Sequence, residues 1–363
     1  MSELPGVLLT GVTGFLGSAV AWELASAGHP VLAVVRKNSR RSARAWLKER
    51  TDVGAAGKRI RLLTGDLTAP DVLDERGLAR ARADASIVVH CAAATDPAVD
   101  RAYAYAVNVD GTANLARLAR SLPSLQRFVH VSDLAVAGDH RGVFAESDLL
   151  VDQGFAGAYA ESKMVAERQL RSAGVPRLVL RPSALLGTGF GGPVPRVTPV
   201  LRLLSALVRI SRAPRPLRRL PVLPFGGCAR VDAVPVDWAA RVVARLAVHD
   251  GLEGQTLHLS DPDAPTLREL VDAAGAKLGL GRSGPNLPRR VMKPLWASGP
   301  MTPVRALFDQ AWNLPDPTLA AMARCAVADS QGAASLLRPL GLEAPSLLDG
   351  LDDVLEYVRS SLV

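Results

Sequence analysis

The sequence predicts an α/β protein built on a doubly wound parallel sheet, with a smaller, partly discontinuous C-terminal region beside it. Three observations carry that prediction. Short β-branched runs alternate with longer helical patterns through the first half, as in β-α-β units. A glycine-rich turn, Gly11-Val12-Thr13-Gly14-Phe15-Leu16-Gly17, joins the first run to the first helix. After Arg181-Pro182 the alternation stops: Gly187 to Pro199 is rich in Gly and Pro, and the segment to Gly227 in Arg and Pro.

The strands expected in order are Val7 to Thr10, Val31 to Val35, Ile60 to Leu63, Ile87 to His90, Phe128 to Val131 and Leu178 to Leu180. Helices are expected near residues 15 to 27, 40 to 50, 104 to 121 and 156 to 173. Parallel neighbours need crossovers of this kind, and right-handed ones place helices on both faces of the sheet. Short runs return at Ala229 to Val234 and Thr256 to Leu259, with helices near 237 to 248, 266 to 278 and 346 to 360. Val200 to Ile210 is apolar and amphipathic, with Arg202, Arg209 and Arg212 on related faces. It reads as a helix packing its apolar stripe on the protein, with an acyl-chain lid or a membrane-surface helix as the alternatives.

At 363 residues and 48% hydrophobic composition the chain can bury a sizeable core. Apolar stretches are too short to span a bilayer, and the N-terminus reads as lacking a secretion signal. Cys91, Cys228 and Cys325 lie far apart without C-x-x-C spacing, against a disulfide framework or a zinc site, so no metal is expected and a reducing cytoplasm fits. The net charge of +8 rests mostly on Arg, with six Lys in the chain, and aromatic content is 4%. Basic residues without interleaved aromatics argue against nucleic acid, while the charge suits steering of acidic partners such as a carrier protein or a coenzyme A phosphate.

The glycines of Gly11 to Gly17 permit a tight turn and a close backbone approach at a helix N-terminus, where free amides attract a pyrophosphate. Thr13, Phe15 and Leu16 belong to the same turn. At the end of the second strand, Val34-Val35-Arg36-Lys37-Asn38 offers two cations and no carboxylate, so Arg36 and Lys37 favour the 2′-phosphate of NADPH over NADH. Asp66 in Gly65-Asp66-Leu67 is placed to meet an adenine edge, or to close a turn or cap a helix beginning near Asp71. Ala92 and Ala93 follow the fourth strand with small side chains that leave room for a ribose and nicotinamide. Residues 1–183, with returning segments near 229–260, are expected to form the dinucleotide-binding domain, and 184–228 with 261–363 the substrate-binding region.

Tyr159 and Lys163, in Ala158-Tyr159-Ala160-Glu161-Ser162-Lys163, lie four residues apart on one helix face. A fixed ammonium there favours the phenolate and readies the phenol for proton transfer.

Thr10 to Gly17, Gly65-Asp66-Leu67, His90-Cys91-Ala92-Ala93, Asn108-Val109-Asp110-Gly111-Thr112, Tyr159 to Lys163 and Arg181-Pro182-Ser183 together resemble the extended short-chain dehydrogenase/reductase superfamily over residues 5 to about 260. Phe128-Val129-His130-Val131-Ser132, Glu146 to Phe155, Glu161 to Glu167 and Val234-Pro235-Val236-Asp237-Trp238 look like its thioester-reductase branch, which includes fatty acyl-CoA reductases and terminal reductase domains. The resemblance implies a Rossmann fold, Tyr159 as proton donor, and Lys163 as modulator of the phenol and ligand of the nicotinamide ribose. It further implies that Asn108 holds the lysine's environment and that Arg181, Pro182 and Ser183 line the nicotinamide side, and the superfamily's frequent dimerisation makes a homodimer a candidate assembly.

One position departs from the pattern. The superfamily usually offers Ser or Thr at the end of strand five to polarise the substrate carbonyl; here the sequence reads Val131-Ser132-Asp133-Leu134, with Asp133 at that place and Ser132 one residue earlier. Neighbours on a strand face opposite ways, so both cannot serve unless the strand has ended. An ionised Asp about 4 Å from a developing oxyanion opposes it by about 4 kcal/mol at an effective dielectric near 20. Four outcomes are open: a protonated Asp133, a Ser132 turned inward, an Asp133 that binds a cation or hydroxyl of the substrate, or loss of ordinary reduction.

The leading expectation is an NADPH-dependent reductase of an acyl thioester, aldehyde or ketone in lipid or secondary metabolism, its substrate free or bound to coenzyme A or a carrier. The alternatives are an NAD-dependent nucleotide-sugar epimerase or dehydratase, disfavoured by Arg36, Lys37 and sparse aromatics, and a dinucleotide-binding regulator without turnover, favoured by Asp133.

Overall fold

The computed structural model describes residues 4–51, 55–96, 99–187, 198–212, 230–280 and 326–362. The Gly- and Pro-rich stretch beyond Gly187, the Arg- and Pro-rich stretch to Gly227, the start of the run at Ala229, and Cys228 and Cys325 lie outside them.

Seven parallel strands form the central sheet: β1 (Gly6–Thr10), β2 (Val31–Val35), β3 (Ile60–Thr64), β4 (Ala85–His90), β5 (Arg127–Val131), β7 (Arg177–Pro182) and β10 (Thr256–Leu259). Their order across the sheet is β3-β2-β1-β4-β5-β7-β10. Every residue of β1, β2, β4 and β5 is buried, which explains why these strands read as continuous apolar runs instead of alternating ones. Register is set by pairs such as Leu9 with Ala33 on one side and Val89 on the other.

Helices cover both faces. α1 (Phe15–Ser26) packs against α8 (Val236–Ala247) over a core containing Val7, Leu9, Val129, Leu178 and Trp238. On the opposite face lie α3 (Glu75–Asp84), α5 (Gly111–Arg120) and α6 (Ala158–Arg171), over Leu8, Val88, Leu115, Phe128 and Leu170. The helix expected near Asp71 starts instead at Glu75, because Asp74 caps it by accepting from the Gly77 amide at 2.7 Å. The helix expected over 104 to 121 is α4 (Arg101–Tyr105), a π-helical turn (Ala106–Asp110) and α5. Such turns insert one residue and re-aim side chains, and this one carries Asn108.

A second core gathers α7 (Pro199–Arg212), α9 (Leu267–Leu278) and α11 (Leu351–Ser361) around Leu201, Leu204, Leu207, Leu270 and Leu355. The apolar stripe of α7 is thus covered by protein, and no helix among the described residues is long and apolar enough to cross a membrane. The last helix begins at Leu351, later than the expected 346. Two small parallel sheets join the parts: β8 (Ala184–Leu186) with β9 (Ala233–Pro235), and β6 (Gly142–Phe144) with β11 (Ala326–Ala328). The segment from α10 (Gln331–Leu337) to Ala344, expected with the substrate region, packs on the main core, where Trp238 Nε1 donates to the Leu342 carbonyl at 3.1 Å.

Under the loop that precedes α6 sits a buried polar knot. Arg181 donates to Glu167 at 2.7 Å and to the carbonyls of Asp148 and Glu146, with both side chains of the pair at most 1% exposed. His258 stacks on Phe144 at 5.8 Å and meets Arg181 at 3.1 Å. The loop Glu146 to Phe155 is therefore bolted to the sheet from below.

Candidate functional site

The order of the sheet reverses between β1 and β4, where crossovers leave in opposite directions and open a crevice at the strands' carboxyl ends. A cleft of about 1680 Å³ occupies that place. Its wall brings together Gly11, Thr13, Gly14, Phe15, Leu16, Gly17, Arg36, Asp66, Leu67, Ala92, Ala93, Ser132, Asp133, Tyr159, Lys163, Pro182 and Ser183. Three expected residues stand off it. Lys37 opens a short 3-10 turn after β2 and is exposed, Asn108 is buried behind the wall, and Arg181 turns its guanidinium away to Glu167 and the Asp148 carbonyl.

The glycine turn is built for close approach. Gly11 has φ +83°, and a Cβ there would lie 2.6 Å from the Ala92 nitrogen; at Gly17 it would lie 2.1 Å from the Gly11 carbonyl oxygen. These two glycines let α1 press against β1 and β4. Gly14 is different: it is exposed, its amide donates to the Gly11 carbonyl at 2.8 Å, and a Cβ would meet that oxygen alone, at 3.2 Å. A side chain at Gly14 would fill open cleft in front of the first-turn amides of α1, which have no intrahelical partner. The cradle fits a pyrophosphate.

Around it, Arg36 Nη1 donates to Tyr103 Oη at 3.2 Å, a partner not foreseen from the sequence. Asp66 Oδ1 accepts from the Thr68 amide and hydroxyl at 2.9 and 2.8 Å, so this carboxylate closes a turn and caps no helix. Leu67 packs on Gly111, and its carbonyl accepts from Asn114 at 2.9 Å.

Beneath the cleft runs a hydrogen-bonded chain that fixes proton positions. Thr112 Oγ1 spends its hydrogen on the Asn108 carbonyl at 2.6 Å, so it must accept from His90 Nε2 at 2.9 Å. His90 Nδ1 then accepts from Thr10 Oγ1 at 2.7 Å, and that oxygen accepts from the Ala92 amide at 3.3 Å. Burial first, then the Lys163 charge, push the His90 pKa down to about 3. The neutral Nε2–H tautomer is thereby set. The signal was a lone His ending a buried strand.

Tyr159 and Lys163 leave the first turns of α6 toward the end of β5. Lys163 is 2% exposed, and its Nζ donates to the Val131 carbonyl at 2.7 Å. Burial, the largest cause, lowers its pKa to about 8, and Asp133 is the largest cause opposing the shift. Asn108 Nδ2 donates to Ser162 Oγ at 2.9 Å and to the Ala94 carbonyl at 3.2 Å, while its Oδ1 accepts from the Ala94 amide at 2.7 Å. Asn108 thus ties the loop after β4 to the helix bearing Lys163, through the neighbouring serine.

Asp133, in extended backbone, meets the tyrosine: Tyr159 Oη donates to Asp133 Oδ2 at 2.9 Å, and Asp133 Oδ1 accepts from the Ala135 amide at 2.6 Å. Ser132 is 4% exposed, its amide donates to the Leu180 carbonyl at 2.7 Å, and its Oγ has no hydrogen-bond partner among the described residues. β5 has ended at Val131, so both residues line the cleft, and of the two it is the Asp133 carboxylate that meets Tyr159.

At the far end, Pro182 and Ser183 leave β7, with the Ser183 amide on the Leu259 carbonyl at 2.9 Å. Beyond them Arg202, Arg230 and Asp232 line the cleft, none anticipated from the sequence as site residues. Asp232 Oδ1 accepts from the Asp261 amide at 3.1 Å, and burial pushes its pKa up to about 7.

Comparison with known proteins agrees with this arrangement. The model of the male sterility protein family, an NAD-binding family, matches residues 9–243. The chain is 29% identical over 304 residues to a carboxylic acid reductase of Segniliparus rugosus, covering 75% of this chain and 25% of that protein. It is 30% identical to an isonitrile lipopeptide synthase of Mycobacterium tuberculosis, covering 74% of this chain and 12% of that one. The chain therefore spans a quarter or less of the length of these relatives. Among solved structures, the terminal R domain from the myxalamid biosynthetic pathway superposes with a TM-score of 0.75 at 25% identity, covering 100% of this chain and 93% of that one. A UDP-glucuronic acid 4-epimerase of Bacillus cereus, at 18% identity and a TM-score of 0.65 over 98% of this chain and 99% of that one, shares the fold. On the family match, the Rossmann sheet and the glycine cradle together, the chain belongs to the male sterility protein family of NAD(P)-binding domains, in the thioester reductase-like branch of the extended short-chain dehydrogenase/reductases.

Proposed function

We propose that this chain is an NADPH-dependent reductase of a carbonyl substrate, an acyl thioester, aldehyde or ketone of lipid or secondary metabolism. The observation that carries the reading is the convergence of Tyr159 and Lys163 on the same cleft as the Gly11 to Gly17 cradle. When bound, NADPH would supply a hydride. The amides of the first turn of α1 would hold its pyrophosphate, Arg36 its 2′-phosphate, and Lys163 its nicotinamide ribose, with Ala92, Ala93, Pro182 and Ser183 bounding the nicotinamide.

Tyr159 is the group that donates a proton to the substrate oxygen, and the Lys163 ammonium favours the phenolate left behind. Asn108 and the Thr10-His90-Thr112 chain hold the floor of the site rigid and neutral. Two named proteins among the relatives, the carboxylic acid reductase and the myxalamid R domain, support a substrate delivered as an activated acyl group on coenzyme A or a carrier. The cationic Arg202 and Arg230 at the cleft's far end suit a phosphate-bearing carrier arm.

The test is NADPH oxidation against a panel of acyl-CoA thioesters, aldehydes and ketones. Turnover that falls at least ~100-fold in Tyr159→Phe, with NADPH affinity retained, is expected. Tight NADPH binding without oxidation by any substrate would overturn the reading.

A further inference from the structure

Asp133 stands where a hydroxyl would serve a developing oxyanion, and its surroundings are fixed. Oδ2 accepts from Tyr159, Oδ1 from the Ala135 amide, and Lys163 lies beside them on the Val131 carbonyl. The other titratable groups acting on this corner are His90 from β4, His130 from β5, Cys91 just past β4 and Glu167 on α6, which is paired with Arg181. Burial holds both imidazoles neutral and pushes the thiol up to about 12. Whatever else approaches the cleft, an ionised carboxylate here makes the charge beside the reacting atom one unit more negative than a serine or threonine would.

That unit acts in opposite directions on two electrophiles. Hydride addition to a neutral C=O builds negative charge on oxygen, which the carboxylate opposes. A protonated imine, C=N–H⁺, enters positive and leaves neutral. The carboxylate stabilises its protonated, reactive form and accepts its N–H. At about 4 Å and an effective dielectric near 20, each effect is worth roughly a thousandfold.

We propose that this site carries a further activity, the reduction of protonated imines, with the imine N–H seated on Asp133 Oδ2 in place of the Tyr159 hydroxyl. The inference rests on the NADPH, Tyr159 and Lys163 reading above and narrows its substrate class: a carbonyl compound bearing an amine within reach condenses to such an imine with loss of water. In the step, the imine carbon gains a hydride, the C=N π pair becomes the nitrogen lone pair, and the cation becomes a neutral amine as NADPH becomes NADP⁺. Bonds, charge and electrons balance without a proton from the protein at the moment of transfer. The amine takes up a proton from water afterwards.

The experiment uses the full chain and 3,4-dihydroisoquinoline, a cyclic imine whose ultraviolet absorbance changes on protonation. In the first arm, with NADP⁺ and no turnover, the bound imine's pKa is raised by about one unit or more over its value in solution, and Asp133→Asn abolishes the shift. In the second, kcat/KM for the imine falls at least ~100-fold in both Asp133→Asn and Asp133→Ser, while kcat/KM for benzaldehyde rises in Asp133→Ser. Circular dichroism and NADPH affinity check that both variants are folded.

An unshifted imine pKa, or imine turnover unchanged by Asp133→Asn, overturns the inference. Oxidation of NADPH by aldehydes or thioesters but not by the imine overturns it too, and leaves the reductase reading standing. No NADPH oxidation by any substrate, imine included, overturns both.

Discussion

Tyr159 Oη donates to Asp133 Oδ2 at 2.9 Å, so the phenol at the heart of the site is paired with a carboxylate where the superfamily usually has a hydroxyl. A substrate oxygen must compete with Asp133 for the tyrosine's hydrogen. Thioester or aldehyde turnover in Asp133→Ser is therefore expected to exceed that of the natural chain, with the gain in kcat more than in KM, since the repulsion is felt as charge develops. Steady-state kinetics on one acyl-CoA and one aldehyde check this.

If Lys163 acts as proposed, it sets the pH range. Its pKa falls from the ordinary 10.5 to about 8 because burial penalises the ammonium. Activity that needs the cation declines as pH rises through about 8. Asp133 is the largest cause raising this pKa, so Asp133→Asn moves the alkaline limb of kcat/KM to lower pH. For stability the sign is the reverse. Between pH 8 and 10.5 the unfolded chain holds a proton that the folded chain has released, so this group's contribution to stability grows across that window and is lost as pH falls through 8. Denaturant unfolding of Lys163→Met and the natural chain at pH 7 and 10 measures the difference.

The glycines separate folding from binding. Gly17→Ala forces a Cβ to 2.1 Å from the Gly11 carbonyl oxygen, against backbone that cannot yield, and is expected to lower Tm sharply. Gly14→Ala meets one atom at 3.2 Å and keeps an allowed backbone (φ −90°, ψ 167°), so Tm stays within a few degrees by an order-of-magnitude estimate. Its methyl enters the cradle, and NADPH affinity is expected to fall at least ~10-fold. Thermal melts and NADPH fluorescence titration distinguish the two.

Arg36 follows β2 without a carboxylate beside it. Arg36→Asp is expected to weaken NADPH by about 10- to 100-fold and leave NADH nearly unchanged, by loss of the charge partner of a 2′-phosphate. Paired titrations of the two dinucleotides check it.

The Arg181–Glu167 pair predicts a non-additive result. Arg181→Met leaves a carboxylate buried at 1% exposure, which costs about 3–5 kcal/mol, whereas Arg181→Met with Glu167→Leu recovers much of it. Equilibrium unfolding of the single and double variants tests the coupling.

Much of this was legible because it is local. Buried parallel strands write apolar runs, and the turn from Gly11 to Gly17 writes its steric needs directly into glycine. Tyr159 and Lys163 are one helical turn apart, so spacing alone puts them on one face. Asp133 is visible as a departure from a pattern, but that the strand ends at Val131 and leaves Ser132 and Asp133 both on the cleft is not written in the local sequence. What stayed illegible is long-range. Arg36 meets Tyr103, and Asp232 meets Asp261, through contacts that no short window contains. Residues 104 to 121 spell plain helix, and the π turn carrying Asn108 goes unannounced because the contacts Asn108 makes there, to Ala94 and Ser162, lie in other elements. Likewise sequence order does not reveal that residues 331–344 pack on the main core beside Trp238.

The small sheet of β6 and β11 also makes one wall of the cleft depend on a late part of the chain. Ala326–Ala328 pairs with Gly142–Phe144, the Asp329 amide donates to Phe144, and the Asp329 carbonyl partners His258. The loop leading into the Tyr159 helix is clamped by a segment made more than a hundred residues later. The wall of the cleft that carries Asp133 and Tyr159 thus depends on strand pairing with a segment at the far end of the chain, and a chain cut short before Ala326 is expected to leave that wall without its clamp.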